Sequence, residues 1–137
     1  MYTVTREIDF CYGHRLINHP GKCRHLHGHN GKAEIVLFSQ KLNSQSMVRD
    51  FEEIKSLVES WIDTELDHKM ILCKTDPLIP ALKALGERCL IIDEHPTAEV
   101  LSKMIYDYCK TQNLPIYEVG LWENERSRAS YREQSKQ

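Results

Sequence analysis

Tyr2-Thr3-Val4-Thr5-Arg6-Glu7-Ile8-Asp9-Phe10-Cys11-Tyr12 alternates in character along its length, with Tyr2, Val4, Ile8, Phe10 and Tyr12 sharing one parity and only Arg6 interrupting it. A period of two marks a strand with one buried face, because successive side chains leave an extended backbone on opposite sides. Gly13 and His14 follow directly, and a continued strand puts His14 on the side of Phe10 and Tyr12. Residues 15–26 contain Asn18, Pro20 and Gly21 and read as a polar turn region. From His27 to about Gln40 a second strand is expected, with Ala33, Ile35 and Leu37 on one face and Lys32 and Glu34 on the other. Val36 and Phe38 fall on the polar side, so that face is expected to be partly covered too. The two strands make an antiparallel pair.

The period then changes. Asp50 and Glu53 stand in a capping-box relation. Phe51, Ile54, Leu57, Val58, Trp61 and Ile62 fall on one face of a helix ending near Leu66. Residues 67–96 are less regular, broken by Pro77, Pro80 and Gly86; a helical turn at 79–85 and a short strand at 89–92 fit there as a small insertion. His95-Pro96-Thr97 opens a second helix with Leu101, Met104, Ile105 and Tyr108 as its apolar stripe. Strands at Ile116–Trp122 and about Arg128–Glu133 close the chain. The expected architecture is α+β in one domain over residues 1–137: a four-stranded antiparallel sheet, two helices on one face, order β-β-α-α-β-β. Such a sheet has two open edges, which pair with something unless blunted, so an oligomer is expected.

Bulk properties narrow the function. At 137 residues, with 41% hydrophobic and 28% charged residues, the chain is long enough for one core and ordinary in composition. A net charge of -2 implies neither nucleic acid nor an acidic membrane as partner. The first residues lack the apolar core of a signal peptide, and no apolar run is long enough to span a bilayer. Cys11, Cys23, Cys73, Cys89 and Cys109 are odd in number and scattered, which does not describe a disulfide framework and fits a reducing cytoplasm. Cys11, Cys73, Cys89 and Cys109 read as small buried hydrophobes. Cys23 differs because imidazoles surround it.

Cys23-Arg24-His25-Leu26-His27-Gly28-His29 carries the chemistry. His27 and His29 lie two apart on a strand and present two nitrogens to one metal ion, and His14, ending the neighbouring strand, is the best-placed third ligand. Zinc takes imidazole nitrogen readily; three histidines and one open position make a catalytic site. His25 has the right parity but lies in the turn, His19 sits in a Pro-containing loop, and His68 and His95 lie on other elements. Cys23 either closes the site as a fourth ligand, giving a zinc-stapled binding protein without turnover, or stays free as a thiolate; spacing leaves both open. Asp67-His68 can orient an imidazole and tune its basicity. Beside a reactive thiol the pair completes a proton-transfer set. Glu123, ending a strand after Trp122, can accept two hydrogen bonds from an amino-heterocycle, and Arg15, Lys22, Arg24, Arg126 and Arg128 can attract phosphate.

Together these landmarks resemble the 6-pyruvoyl-tetrahydropterin synthase / 6-carboxy-tetrahydropterin synthase family. They are Gly13-His14-Arg15-Leu16, Cys23 with His27-Gly28-His29, Val48 with Asp50-Phe51, Leu66-Asp67-His68, Pro96-Thr97-Ala98-Glu99 and Glu123, in order and on matching elements. The resemblance implies the tunnelling fold, with subunits joined into a barrel, a dimer of trimers (a homohexamer) and active sites between subunits. It implies zinc on His14, His27 and His29, Cys23 as general base with Asp67 and His68 as partners, and Glu123 anchoring a pterin ring with Thr97 close by. The implied enzyme is a zinc-dependent lyase acting on 7,8-dihydroneopterin triphosphate. The three-residue gap between Cys23 and His27 is similar to the bacterial carboxy type, which releases acetaldehyde and triphosphate and leads to queuosine and other 7-deazapurines. The pyruvoyl type, which eliminates triphosphate, is the alternative, and aldol cleavage of a pterin side chain is a third reading. Four features depart from the family pattern. Gly31 stands where an aromatic often follows the second histidine, Asn124-Glu125 follow Glu123 in place of the more usual hydroxyl residue, the stretch from Met70 to Glu94 is long, and Arg126-Ser127-Arg128 is unusually basic.

Overall fold

The computed structural model describes residues 1–135. Strand β1 (Tyr2–His14) pairs antiparallel with β2 (His27–Ser39) over their whole length, from Tyr2 opposite Ser39 to His14 opposite His27. The expected faces are as drawn from the sequence. Ile8, Phe10, Tyr12 and His14 are buried on one side of β1, and Ala33, Ile35 and Leu37 on the same side of β2. Glu7, Asp9, Lys32 and Glu34 occupy the other face, which carries no helix and leaves Val36 and Phe38 half-buried.

The sheet has six strands instead of four, in the order β4-β3-β1-β2-β5-β6. Strands β5 (Ile116–Asn124) and β6 (Ser127–Tyr131) correspond to the two expected C-terminal strands. The additions are β3 (Lys69–Cys73) and β4 (Cys89–Ile92), linked by a short helix, Ile79–Ala84. Both lie in the stretch expected to be an insertion. The sheet is also mixed, since β1 pairs with β3, and β3 with β4, in parallel. The missed strand, β3, is five residues long and its Ile71, Leu72 and Cys73 are all buried. A strand covered on both faces loses the alternation that reveals a half-exposed one, and its short apolar run cannot be told from a helix fragment.

The first helix runs continuously from Phe51 to Glu65, but its middle, Lys55–Glu59, is a π-helical turn. Ile54, Val58 and Ile62 face the sheet, fully buried. Phe51 does not, being 48% exposed. Asp50 caps this helix by accepting from the Glu52 N–H at 2.9 Å, while Glu53 turns to Arg49, so the capping box is half made. The long helix, Ala98–Thr111, is capped by Thr97, whose hydroxyl accepts from Val100 N–H at 3.2 Å; Pro96 sits just before the cap. Leu101, Ile105 and Cys109 complete the core. The two helices meet through Trp61 stacked on Tyr108, with ring centroids 4.2 Å apart. No helix is long and apolar enough to cross a membrane among the described residues.

Two of the five basic side chains read as phosphate attractors are committed elsewhere. Arg15 forks onto both carboxylate oxygens of buried Asp76. Arg128 pairs with Glu34 and Glu118 and fills the space left by Gly120, where a Cβ would overlap its guanidinium. The Arg15–Asp76 pair ties the end of β1 to the turn before the short helix, since Asp76 also accepts from Leu78 N–H at 2.9 Å. The hydrogen bonds from Arg15 hold the Asp76 carboxyl below its ordinary value, against the opposing effect of burial. The sign follows. A carboxyl with a depressed folded pKa stabilises the fold above its unfolded pKa of about 3.9, and the benefit is lost as pH falls through the folded value. Asp76→Asn is expected to cost about 2–3 kcal/mol at pH 7, because it leaves Arg15 without its charged partner. In urea titrations the gap to wild type should hold constant down to about pH 5 and shrink below about pH 4.

Candidate active site

The cross-strand register assembles the imidazoles. His14 sits opposite His27, and Tyr12 opposite His29, on the core-facing side at the end of the β1/β2 pair. His14, His27 and His29 each offer a ring nitrogen within 4.8 Å of the others. His14 Nε2 and His29 Nε2 stand 3.1 Å apart. Four ligands around zinc at about 2.05 Å are separated by about 3.3 Å, so this spacing suits a metal ion.

Backbone carbonyls fix the tautomers. A carbonyl only accepts, so His14 Nδ1–H donates to Pro96 O at 2.6 Å and His27 Nδ1–H donates to His25 O at 2.7 Å. Both Nε2 atoms therefore keep a lone pair for a metal. His25 is not a ligand, yet its carbonyl aims one. Burial lowers the pKa of His14, only partly offset by the bond to Pro96, and burial likewise lowers that of His29 against the pull of Glu123. Both rings are held neutral at neutral pH, the form that binds metal. The residues fit a three-nitrogen metal site, and Cys23 is not a member of the cluster.

Glu123 lies at the rim of this cluster. Its carboxylate oxygens are 4.0 Å from His14 Nε2 and 3.9 Å from His29 Nε2. It borders a cavity of about 700 Å³ with His29, Lys32, Glu34 and Trp122. It also borders a smaller one of about 220 Å³ with Leu16, Thr97 and Arg128. Thr97 thus reaches the same cavity as Glu123 while its hydroxyl oxygen caps the long helix.

Cys23 occupies a 3-10 turn, Lys22–Arg24, half-buried, with its carbonyl accepting from Leu16 N–H at 2.8 Å. Asp67 and His68 stand elsewhere, joined Nδ1–H to Oδ2 at 2.7 Å. Among the described residues no hydrogen bond joins them to Cys23; the thiol against them is that of Cys11, 3.4 Å from both His68 ring nitrogens. Cys11 N–H donates to Asp67 Oδ1 at 2.9 Å, and His68 N–H returns to Cys11 O at 2.7 Å. Burial alone would raise the Asp67 carboxyl, but the bonds from Cys11 and His68 outweigh it and hold it low. His68 adopts φ 56°, a left-handed conformation that costs a non-glycine residue about 1 kcal/mol or more. Cys11, half-buried at a polar pair, is not the inert core thiol expected; Cys73 and Cys109 are, and Cys89 is half-buried. The signal for Cys11 was invisible in sequence because it needs β3, whose pairing with β1 brings the preceding Asp67-His68 alongside Cys11.

A family model described as 6-pyruvoyl tetrahydropterin synthase matches residues 3–134. The chain belongs to that family. It is 41% identical over 101 residues to the 6-carboxy-5,6,7,8-tetrahydropterin synthase of Rickettsia typhi, covering 72% of this chain and 73% of that protein. It is 30% identical to the protein of the same name from Haemophilus influenzae, over 97% of this chain and 100% of the other. A solved structure of an uncharacterized protein from Wolinella succinogenes superimposes with a TM-score of 0.82 at 26% identity, over 97% and 98% of the two chains. The 6-pyruvoyl tetrahydropterin synthase of Caenorhabditis elegans shares the fold, with a TM-score of 0.72 at 19% identity over 97% and 96% of the chains. The sheet and helices are those of the tunnelling fold, with six strands in this chain.

Cobalt(II), which reports ligand geometry by its visible spectrum, is expected to titrate to about one ion per chain. Substituting His27→Ala should weaken that binding more than 100-fold, beyond the roughly 10–100-fold typical of a supporting residue. Cys23→Ala should leave both stoichiometry and spectrum unchanged.

Proposed function

We propose that this chain is a zinc-dependent lyase that converts 7,8-dihydroneopterin triphosphate and one water to 6-carboxy-5,6,7,8-tetrahydropterin, releasing acetaldehyde and triphosphate. The observation that carries this reading is the placement of Glu123 about 4 Å from two of three clustered, tautomer-fixed imidazoles. A ring anchored on that carboxylate lays its side chain over the metal position. The Rickettsia and Haemophilus relatives bear the carboxy enzyme's name, in agreement with the short gap between Cys23 and His27. The exclusion of Cys23 from the imidazole cluster favours an enzyme over a zinc staple.

Zinc bound by His14, His27 and His29 supplies a Lewis acid that acidifies the substrate side chain. The chain's own residues do the rest. Glu123 accepts hydrogen bonds from the amino-heterocycle and sets its register; Thr97 lines the same cavity. Cys23 serves as the general base toward the side chain. His68, oriented through Nδ1 by Asp67, leaves Nε2 to exchange a proton with solvent or substrate. Because no hydrogen bond joins Asp67-His68 to Cys23 among the described residues of one chain, we place the working site between subunits, in a barrel closed through the free edges β4 and β6. The proposed assembly is a dimer of trimers in the cytoplasm, serving 7-deazapurine synthesis.

Mass spectrometry of the products tests the reaction. Zinc-loaded protein should yield the carboxypterin and acetaldehyde; a pyruvoyl product would shift the assignment to the other branch, and no turnover would refute both. Cys23→Ala and His68→Ala should each lose more than about 100-fold in kcat, as expected for general acid–base groups. Mixing the two dead variants and reassembling them should restore about a quarter of wild-type activity by random assortment around a symmetric ring. Full turnover by Cys23→Ala would remove it as the base, and no recovery on mixing would place the site within one chain.

A further inference from the structure

Tyr12 is 3% exposed, and its phenol oxygen is enclosed with no hydrogen-bond partner among the described residues. Nearly all buried polar groups in folded proteins are paired, and an unpaired one costs about 1–3 kcal/mol. Packing explains the ring but not the oxygen. The ring stacks on Phe10 at 5.3 Å, meets His14 edge-on at 5.2 Å and tilts over His29 at 5.6 Å. Gly31 on the neighbouring strand makes this possible, for a Cβ there would stand 3.0 Å from Tyr12 Cε1. Where the family resemblance leads one to expect an aromatic on β2, this chain supplies one from β1. A phenylalanine would fill the same space without an orphaned hydroxyl.

The hydroxyl also has a direction. The ring passes from β1 over Gly31 of β2, where the Trp122 carbonyl of β5 lies 3.5 Å from the point a Cβ would occupy. Glu123 follows Trp122, and its carboxylate stands 4.0 and 3.9 Å from the two imidazoles that the Tyr12 ring touches. A phenol O–H donates and a carboxylate only accepts. Glu123 faces a choice. Three imidazoles and a carboxylate complete a tetrahedral zinc site, closing the position a catalytic metal needs open. A carboxylate taken by the metal cannot also hold a heterocycle.

We propose that Tyr12 is a positioning residue for Glu123: its hydroxyl, held in place over Gly31, donates to the Glu123 carboxylate when the imidazoles engage a cation, keeping that carboxylate off the metal and turned to the ligand. The part concerning the ligand rests on the reading of Glu123 as the pterin anchor; the part concerning the metal does not.

Tyr12→Phe removes the oxygen alone. The metal-free variant is expected to melt at the same temperature as wild type or higher, since an unpaired buried group is gone. Loaded with cobalt(II), it should show a changed visible spectrum and tighter metal binding as Glu123 becomes the fourth ligand. On a Glu123→Gln background the spectral effect of Tyr12→Phe should vanish, which a merely structural role would not produce. Fluorescence titration of the zinc-loaded proteins with 7,8-dihydroneopterin triphosphate should show binding about tenfold weaker in Tyr12→Phe, the loss of one hydrogen bond that positions the anchor. A cobalt spectrum identical to wild type, or a Tyr12→Phe chain that does not fold, overturns the inference. Wild type that binds no pterin while the cobalt spectra differ as described refutes the pterin reading and leaves the Tyr12–Glu123 coupling standing.

Discussion

The imidazole cluster of this chain hangs on one constraint, the register of β1 against β2. Thirteen residues of each strand pair without interruption, from Tyr2 opposite Ser39 to His14 opposite His27. Alternation makes that register all-or-none. A slip of one residue would turn His27 and His29 away from His14 and, in the same movement, take Ala33, Ile35 and Leu37 out of the core. The apolar half of the ladder thus fixes the polar half. Burial of fully enclosed side chains at roughly 1.5–3 kcal/mol each holds the pairing, and the imidazoles at its end inherit a position they contribute little to maintaining.

Continuity with the core also sets their chemistry. His14 is 2% exposed and backed by Tyr12, so its charged form is disfavoured and its nitrogen stays available to a cation. The Pro96 carbonyl that fixes its tautomer comes from the loop entering the long helix. Capping of that helix by Thr97 and aiming of His14 therefore depend on the same few residues, so the start of the helix joins the core to the site. Glu123 reaches the cluster from β5, one strand beyond β2.

The half-exposed strands were legible in sequence because one wet face leaves a period of two, and the helices because Ile54, Val58 and Ile62 repeat at four. Parity put His14, His27 and His29 on one face, where the structure clusters them, but it admitted His25 equally, and only the turn set that residue apart. What the sequence concealed is informative in kind. Strand β3 is covered on both sides and has no period to read. Cys11 gains its polar neighbours only through β3. The orienting carbonyls of Pro96 and His25 are backbone groups, which no residue type announces. Tyr12 fitted the apolar stripe so well that its hydroxyl passed as core, and its relation to Gly31 exists only once the strands are paired.

The same alternation separates two chemistries across one strand. Tyr12 and His14 project toward the helices, whereas Cys11 has the opposite parity and meets His68 on the other side. Asp67, through its side chain, and His68, through its N–H, are fastened there by two bonds to the Cys11 backbone, which flank the left-handed φ of His68. The His68 side chain is 69% exposed, so the ring is fastened at Asp67 and Cys11 and otherwise open to solvent. With the three clustered imidazoles facing the core and the proposed proton-transfer pair, Asp67 and His68, on the other side beside the parallel end of the sheet, the proposed site has its parts arranged for a neighbour to complete. The free edges at β4 and β6 are where such a neighbour would join, which is why assembly and chemistry are coupled in the function proposed for this chain.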